Sequence, residues 1–157
     1  MTTGQNIFGL VIAVGLCLAV GFISGRSVPG EWYQELAKPT WTPPNWIFAP
    51  VWTILYIAMG IAAWLVWRQS GFATAAIPLS VFLLQLLLNG LWSWFFFGMR
   101  NPGLAFADII ILWLAILATM ILFWMRQAAA GILILPYLVW VSYASALNFA
   151  IWRMNQN

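Results

Sequence analysis

Five apolar runs, at residues 7–25, 48–67, 75–97, 104–125 and 128–152, occupy most of this chain of 157 residues. Each has about the twenty residues that a helix needs to cross a hydrocarbon core. The sequence therefore predicts an all-α integral membrane protein, a single domain over residues 1–157 in which five transmembrane helices form one bundle. With 64% hydrophobic and 6% charged residues, the chain has too little polar surface to cover a soluble globule. Its Met-Thr-Thr-Gly-Gln-Asn start lacks the basic region of a secretory signal, so the first run is read as a retained span. Short connectors at residues 68–71, 99–103 and 126–127, marked by charge, glycine or proline, make successive spans antiparallel neighbours.

An odd number of spans puts the termini on opposite sides of the membrane. The C-terminal side carries Arg26, Lys38, Arg100 and Arg153, against Arg68 and Arg126 on the other, which predicts a cytoplasmic C-terminus. Set against Glu31, Glu35 and Asp108, these cations leave a net charge of +3 dispersed among the connectors, with no footing for nucleic acid. The chain has no histidine, and its single cysteine, Cys17, lies inside an apolar run. A disulfide within the chain, histidine-based triads and zinc sites built on histidine pairs are excluded, and no metal site is expected.

The first connector is unlike the others. Residues 31–46 hold Trp32, Trp41 and Trp46, Tyr33, and three prolines, Pro39, Pro43 and Pro44. Proline fixes φ and restricts the residue before it, so the loop between the first two transmembrane helices holds its aromatic rings on a stiff frame. It reads as a structured lid.

Within the spans, Gln85, Asn89 and Ser93 stand at i, i+4 and i+8, three hydrogen-bonding side chains on one face of the third helix. Polar groups facing lipid are costly, so this face points into the bundle, either to join helices or to meet a ligand. Trp52 and Tyr56 share a face of the second span, as do Trp140, Ala144 and Asn148 of the fifth. A cavity bounded by these faces would be mostly aromatic with a few convergent polar groups, the usual make-up of a small-molecule site. Of the twelve tryptophans, Trp46, Trp64, Trp67, Trp94, Trp124 and Trp152 fall near span ends and read as interfacial anchors. Trp113, with no polar neighbour in sequence, reads as packing, whereas Trp52 and Trp140 sit deeper than a belt requires or next to polar neighbours and are the better candidates for stacking on a ligand. Small residues recur at Gly9, Ala13, Cys17, Gly21 and Gly25, and again at Ser142, Ala146 and Ala150. Both stripes are close-packing faces, within the bundle or between protomers. Asp108, the only acid inside a span, lies about one turn into the fourth helix, where Arg100 or a bound polar group can reach it.

Together these residues resemble the tryptophan-rich sensory proteins of bacteria and the translocator proteins of mitochondria, also called peripheral benzodiazepine receptors. The resemblance rests on Trp32-Tyr33, Leu36, Lys38-Pro39, Trp41, Pro43-Pro44 and Trp52, and on Asn89 with Trp92-Ser93. It continues through Leu135-Pro136-Tyr137, Trp140, Tyr143-Ala144, Leu147-Asn148 and Trp152. It implies a five-helix bundle, commonly a homodimer, that binds porphyrins and hydrophobic drug-like molecules under the first loop and needs no cofactor. By matching position, the pocket would comprise Tyr33, Pro43, Trp52, Tyr56, Gln85, Asn89, Ser93, Trp140 and Ala144. The same resemblance implicates Trp52 and Trp140 in light-dependent breakdown of protoporphyrin. Animal members bind cholesterol through a tyrosine-containing motif near the C-terminus; here Phe149 stands at that tyrosine's place, so sterol binding is not carried over. The small-residue stripe linked to dimerisation is missing from the third span, and a dimer would form through another face.

A tetrapyrrole also suits the residues themselves. Indole faces match the apolar plate, and Arg26, Lys38 or Arg100 at the mouth would meet its propionates. Axial ligation of haem iron would fall to cysteine, methionine or tyrosine, so metal-free protoporphyrin is expected to bind at least as well as haem. The leading reading is a membrane receptor or sensor for porphyrins that regulates tetrapyrrole levels or transport. The alternatives are a light-dependent porphyrin-degrading enzyme, and a transporter of hydrophobic solutes with Asp108 as its only candidate coupling group.

Overall fold

The computed structural model describes residues 2–25 and 30–156. It contains α1 (Thr3–Ser24), α2 (Glu31–Glu35), α3 (Asn45–Thr74), α4 (Ala76–Ser93), α5 (Pro102–Arg126) and α6 (Ala128–Met154), and a π-helical turn, Trp94–Gly98, prolongs α4. Five of these helices are long and apolar enough to cross a membrane, α4 counted with its π-turn. The chain is an all-α, multi-pass integral membrane protein, and α2 lies within the loop that joins its first two spans.

Local chemistry sets the ends. Thr2 and Gln5 form a reciprocal capping box at α1, each side chain accepting from the other's backbone N–H. Asn101 caps α5 by accepting from Leu104 N–H at 3.1 Å, with Pro102 at the first helical position, where its missing N–H costs nothing. The second span departs from expectation. Residues 68–70 are helical, and the helix breaks only at Gly71, whose φ of 72° lies in the left-handed region. The expected connector at residues 68–71 is thus the last helical turn and its glycine stop. Arg68 supports this turn by laying its guanidinium over the ring of Trp64, 5.0 Å from the centroid and one turn back.

The helices form a ring in which α1 packs on α3, α3 on α6, α6 on α5, and α5 on α4, which returns to α1. The expectation that successive spans are neighbours holds fully for α4 with α5 and for α5 with α6, while α3 touches α4 only as lightly as α1 does, despite the tight turn between them. Glycines explain the preference of α3 for α1. A Cβ on Gly60 would sit 2.6 Å from Val14 Cα, and one on Gly21 2.7 Å from the ring of Tyr56, so these backbones meet at distances only glycine permits. The stripe on α1 is a packing face within the bundle. The stripe on α6 differs: Ser142 and Ala146 are exposed. Ser142 accepts the Trp113 indole N–H at 2.8 Å, so Trp113 has a polar partner that its sequence neighbours did not suggest. Cys17, Met59, Val66, Ile116, Phe123 and Val141 are fully enclosed between the helices.

Candidate functional site

Alternating helix direction brings the C-terminal ends of α1, α4 and α6 and the N-terminal end of α3 to one side of the bundle, beneath the first loop. They enclose a cavity of about 580 Å³, within the range of small-molecule sites. From α1 it is lined by Leu18, Gly21, Phe22, Ser24 and Gly25; from α3 by Asn45, Phe48, Ala49, Trp52, Thr53 and Tyr56. The end of α4 contributes Trp92, Ser93, Phe96 and Phe97, α6 contributes Trp140, Tyr143, Ala144, Leu147, Asn148 and Ile151, and Tyr33 comes from the loop.

Two indoles meet on this wall. Trp52 and Trp140 lie 6.5 Å apart, centroid to centroid, with their planes at 88°. Each is backed by a tyrosine, Trp52 by Tyr56 at 5.7 Å and Trp140 by Tyr143 at 5.8 Å. The loop closes onto the opposite wall: buried Tyr33 sets its ring edge-on to Phe97 at 5.6 Å, and Trp32 does the same to Phe96 at 5.7 Å. The π-turn places those phenylalanines. Its wider winding, closed by Met99 N–H donating to the Trp94 carbonyl at 2.7 Å, inserts one residue per turn and so rotates its side chains away from the directions an α-helix would give them. On the α6 side Trp41 packs against Tyr143 at 5.6 Å, and the Tyr143 hydroxyl donates to the Trp41 carbonyl.

Of the nine expected pocket residues, Tyr33, Trp52, Tyr56, Ser93, Trp140 and Ala144 line the cavity. Pro43 does not; it lies in the segment that leads into α3. Gln85 and Asn89 do not either, because they join helices. Asn89 Oδ1 accepts from the Tyr56 hydroxyl at 2.5 Å, and its amide donates to the Tyr137 hydroxyl at 2.7 Å. That hydroxyl in turn donates to Gln85 Oε1 at 2.8 Å. All four residues are buried. The network lies behind the wall and holds Tyr56, and Ser93 alone of the three-residue polar face reaches the cavity.

None of the described lining residues is charged. Lys38, expected at the mouth, has all three ammonium protons engaged by backbone carbonyls, of Tyr33 at 2.7 Å, Gln34 at 3.2 Å and Leu36 at 3.2 Å, and it lies over the Tyr33 ring. It stiffens the lid and is not free to meet a carboxylate. Arg100 is exposed and off the wall, and Arg26 lies outside the described residues. Asp108 is buried on α5, away from the cavity; its Oδ2 has no hydrogen-bond partner among the described residues, and Arg100 does not pair with it. The candidate coupling group thus does not face the site. Three polar atoms of lining residues are also buried without a partner there, Ser24 Oγ, the Tyr33 hydroxyl and Trp140 Nε1. Burial, reinforced by Tyr143, pushes the Tyr33 phenol above its ordinary value, so it remains a neutral donor.

Sequence reading missed Phe96 and Phe97, because an α-helical projection does not anticipate a π-turn. It also left out Trp92 and Tyr143, although Tyr143 lies about one turn from Trp140, while Asn148, read on the same face as Trp140 and Ala144, does line the cavity. Asn148 accepts the Trp92 indole N–H at 2.8 Å and donates to the Pro102 carbonyl at 2.9 Å, tying α4, α5 and α6 together at the loop end of the bundle.

The family model described as the TspO/MBR family matches residues 13–153. The chain is 43% identical to the tryptophan-rich protein TspO of Chlorobaculum tepidum, across 96% of this chain and 98% of that one. It is 40% identical to the translocator protein of Homo sapiens, across 92% of this chain and 90% of the human protein. With the tryptophan-rich sensory protein of Cereibacter sphaeroides it shares 42% identity, across 82% and 80% of the two chains.

Proposed function

The chain belongs to the TspO/MBR family, and from that premise we propose that it is a membrane receptor for porphyrins, protoporphyrin foremost, and for other flat hydrophobic molecules, whose level or passage it regulates. The observation that carries this reading is the uncharged aromatic cavity beneath the loop. Trp52 and Trp140 offer it perpendicular ring faces, while Tyr33 and Trp140 hold buried donors that lack a partner within the described protein. A buried donor without a partner is costly, and a ligand acceptor would relieve that cost. An apolar macrocycle fits such a wall, with its propionates projecting beyond it into the headgroup region. The protein acts as a homodimer with a cytoplasmic C-terminus, the latter supported by the charge bias of its connectors. Sterol is not among the proposed ligands.

Titration of the purified protein with protoporphyrin, in the dark and under illumination, tests this reading through tryptophan quenching and the porphyrin absorption band. Saturable quenching with a stable band is expected. Trp52→Phe and Trp140→Phe should each weaken binding about three- to tenfold, and Trp113→Phe, which lies off the cavity, should leave it unchanged. No saturable quenching would refute the reading. The adjoining indoles favour one second reading, light-dependent oxidation of the bound pigment. Its signature is loss of the band in light that is abolished by the Trp52 and Trp140 variants and retained in the Trp113 variant.

A further inference from the structure

The lid is fastened to the bundle at three places, and only one of them grips its backbone with a side-chain amide. After α2 ends, Leu36 is extended at φ −66° and ψ 144°, and Pro39 comes shortly after it, so Ala37 has neither a helical nor a strand partner for its main-chain groups. Asn155, the C-cap of α6, serves both of them. Ala37 N–H donates to Asn155 Oδ1 at 3.0 Å, and Asn155 Nδ2 donates to the Ala37 carbonyl at 2.8 Å, across a separation of 118 residues. Nδ2 also donates to the Ile151 carbonyl at 2.7 Å. A primary amide has one acceptor oxygen and two donor protons, so every group on it is engaged. The Ile151 bond closes the last turn of α6 and presets the amide plane; capping alone does not need the two bonds to Ala37.

We propose that Asn155 is the latch of the lid. Of the other two fastenings, Trp32 and Tyr33 pack on the π-turn, with Tyr33 almost fully buried at 2% exposure, whereas Trp41 is exposed, packs on the Tyr143 ring and is held through its carbonyl by the Tyr143 hydroxyl. Ala37 is exposed and Asn155 half-buried, so water competes for their bonds and this fastening opens before the buried Tyr33 anchor does. Opening frees residues 36–38, loosens the hold of Lys38 on the Tyr33 carbonyl, and so releases Tyr33, the described loop residue that lines the cavity. Asn155 is therefore a positioning residue: it touches no ligand, but it sets how often the site is open, and it links the lid to the integrity of the C-terminal turn of α6. The latch is a property of the empty protein; its effect on ligand exchange rests on the reading of the cavity proposed above.

Hydrogen–deuterium exchange on the full chain in lipid nanodiscs, without ligand, tests the latch in Asn155→Ala and in Asn155→Asp, which keeps the shape and the acceptor but cannot donate to the Ala37 carbonyl. In Asn155→Ala, exchange at residues 34–38 should rise about tenfold, as expected for two ordinary hydrogen bonds to Ala37 lost at a wet rim, and in Asn155→Asp, which keeps one of them, about threefold, while α3 and α5 exchange as in wild type. Release of protoporphyrin, followed by recovery of tryptophan fluorescence on dilution, should quicken by a similar factor. Unchanged exchange in both variants, or in the aspartate variant alone, would overturn the two-way clasp. Faster exchange with unchanged release would overturn its control of the site. Faster exchange in a protein whose wild type binds no porphyrin would uphold the latch and refute the porphyrin reading instead.

Discussion

Removing one oxygen at Tyr137 isolates what the buried polar network contributes. Tyr137 is fully buried and its hydroxyl makes two bonds, accepting from Asn89 Nδ2 at 2.7 Å and donating to Gln85 Oε1 at 2.8 Å. Tyr137→Phe keeps the ring, and with it the edge contact to Trp52 at 6.2 Å, but strands one Asn89 N–H and the Gln85 oxygen in a site closed to water. Each stranded group costs about 1 kcal/mol at the low end of the usual range, and hydrogen bonds between membrane helices average about 0.6 kcal/mol, so the variant should lose about 1–2 kcal/mol. The assay is unfolding in mixed micelles by titrated denaturing detergent, followed by helical circular dichroism. Adding Gln85→Leu removes the stranded oxygen, so the double variant should recover about 1 kcal/mol relative to the sum of the singles. Because Tyr137 lies behind the cavity wall, ligand affinity should not change. A single-variant loss below about 0.3 kcal/mol, or singles that add within about that margin, would show that the network does not hold the helices, and the account of why Gln85 and Asn89 sit away from the cavity would fail.

Gly60→Val should destabilise the bundle by more than about 2 kcal/mol, because its Cβ would lie 2.6 Å from the Val14 backbone, whereas Gly15→Ala, with nothing within 4 Å, should be neutral or stabilise by up to about 1 kcal/mol; the same detergent titration checks both. Lys38→Met removes three bonds to lid carbonyls but no charge from the cavity wall. It should speed ligand release several-fold and leave affinity equally insensitive to salt, and a salt dependence lost in the variant would refute the structural role of Lys38. The Tyr33 phenol is held protonated above the ordinary value of 10.0, so its contribution is fully present below about pH 10 and is lost as pH rises through the higher folded value. Tyrosinate absorbance at alkaline pH, wild type against Tyr33→Phe, should show a late-titrating phenol in the wild type alone.

The two levels of information divide cleanly by range. Span number, helix type and membrane residence follow from apolar runs about twenty residues long, because the bilayer's thickness and its lack of water act on the local segment. The stiffness of the loop was equally local, carried by Pro39, Pro43 and Pro44. A helical face could likewise be read for Trp52 with Tyr56 and for Trp140 with Ala144, since one helix turn is a local period. Helix neighbours were local only where a short connector joins α4 to α5 and α5 to α6. Gly60 against Val14 placed α3 beside α1, and the order of the ring decided which polar residues reached the cavity and which faced a helix. Gln85 and Asn89 share a face with Ser93 in sequence, yet Tyr137 and Tyr56 engage them before a ligand could. Lys38 looked like a mouth cation until the fold wrapped it around three carbonyls of its own loop. The π-turn that aims Phe96 and Phe97, and the clasp of Asn155 on Ala37, depend on groups that only packing brings together. A sequence shows what each residue is able to bond; which of those bonds form depends on what else is within about 3 Å, and that was decided by tertiary structure.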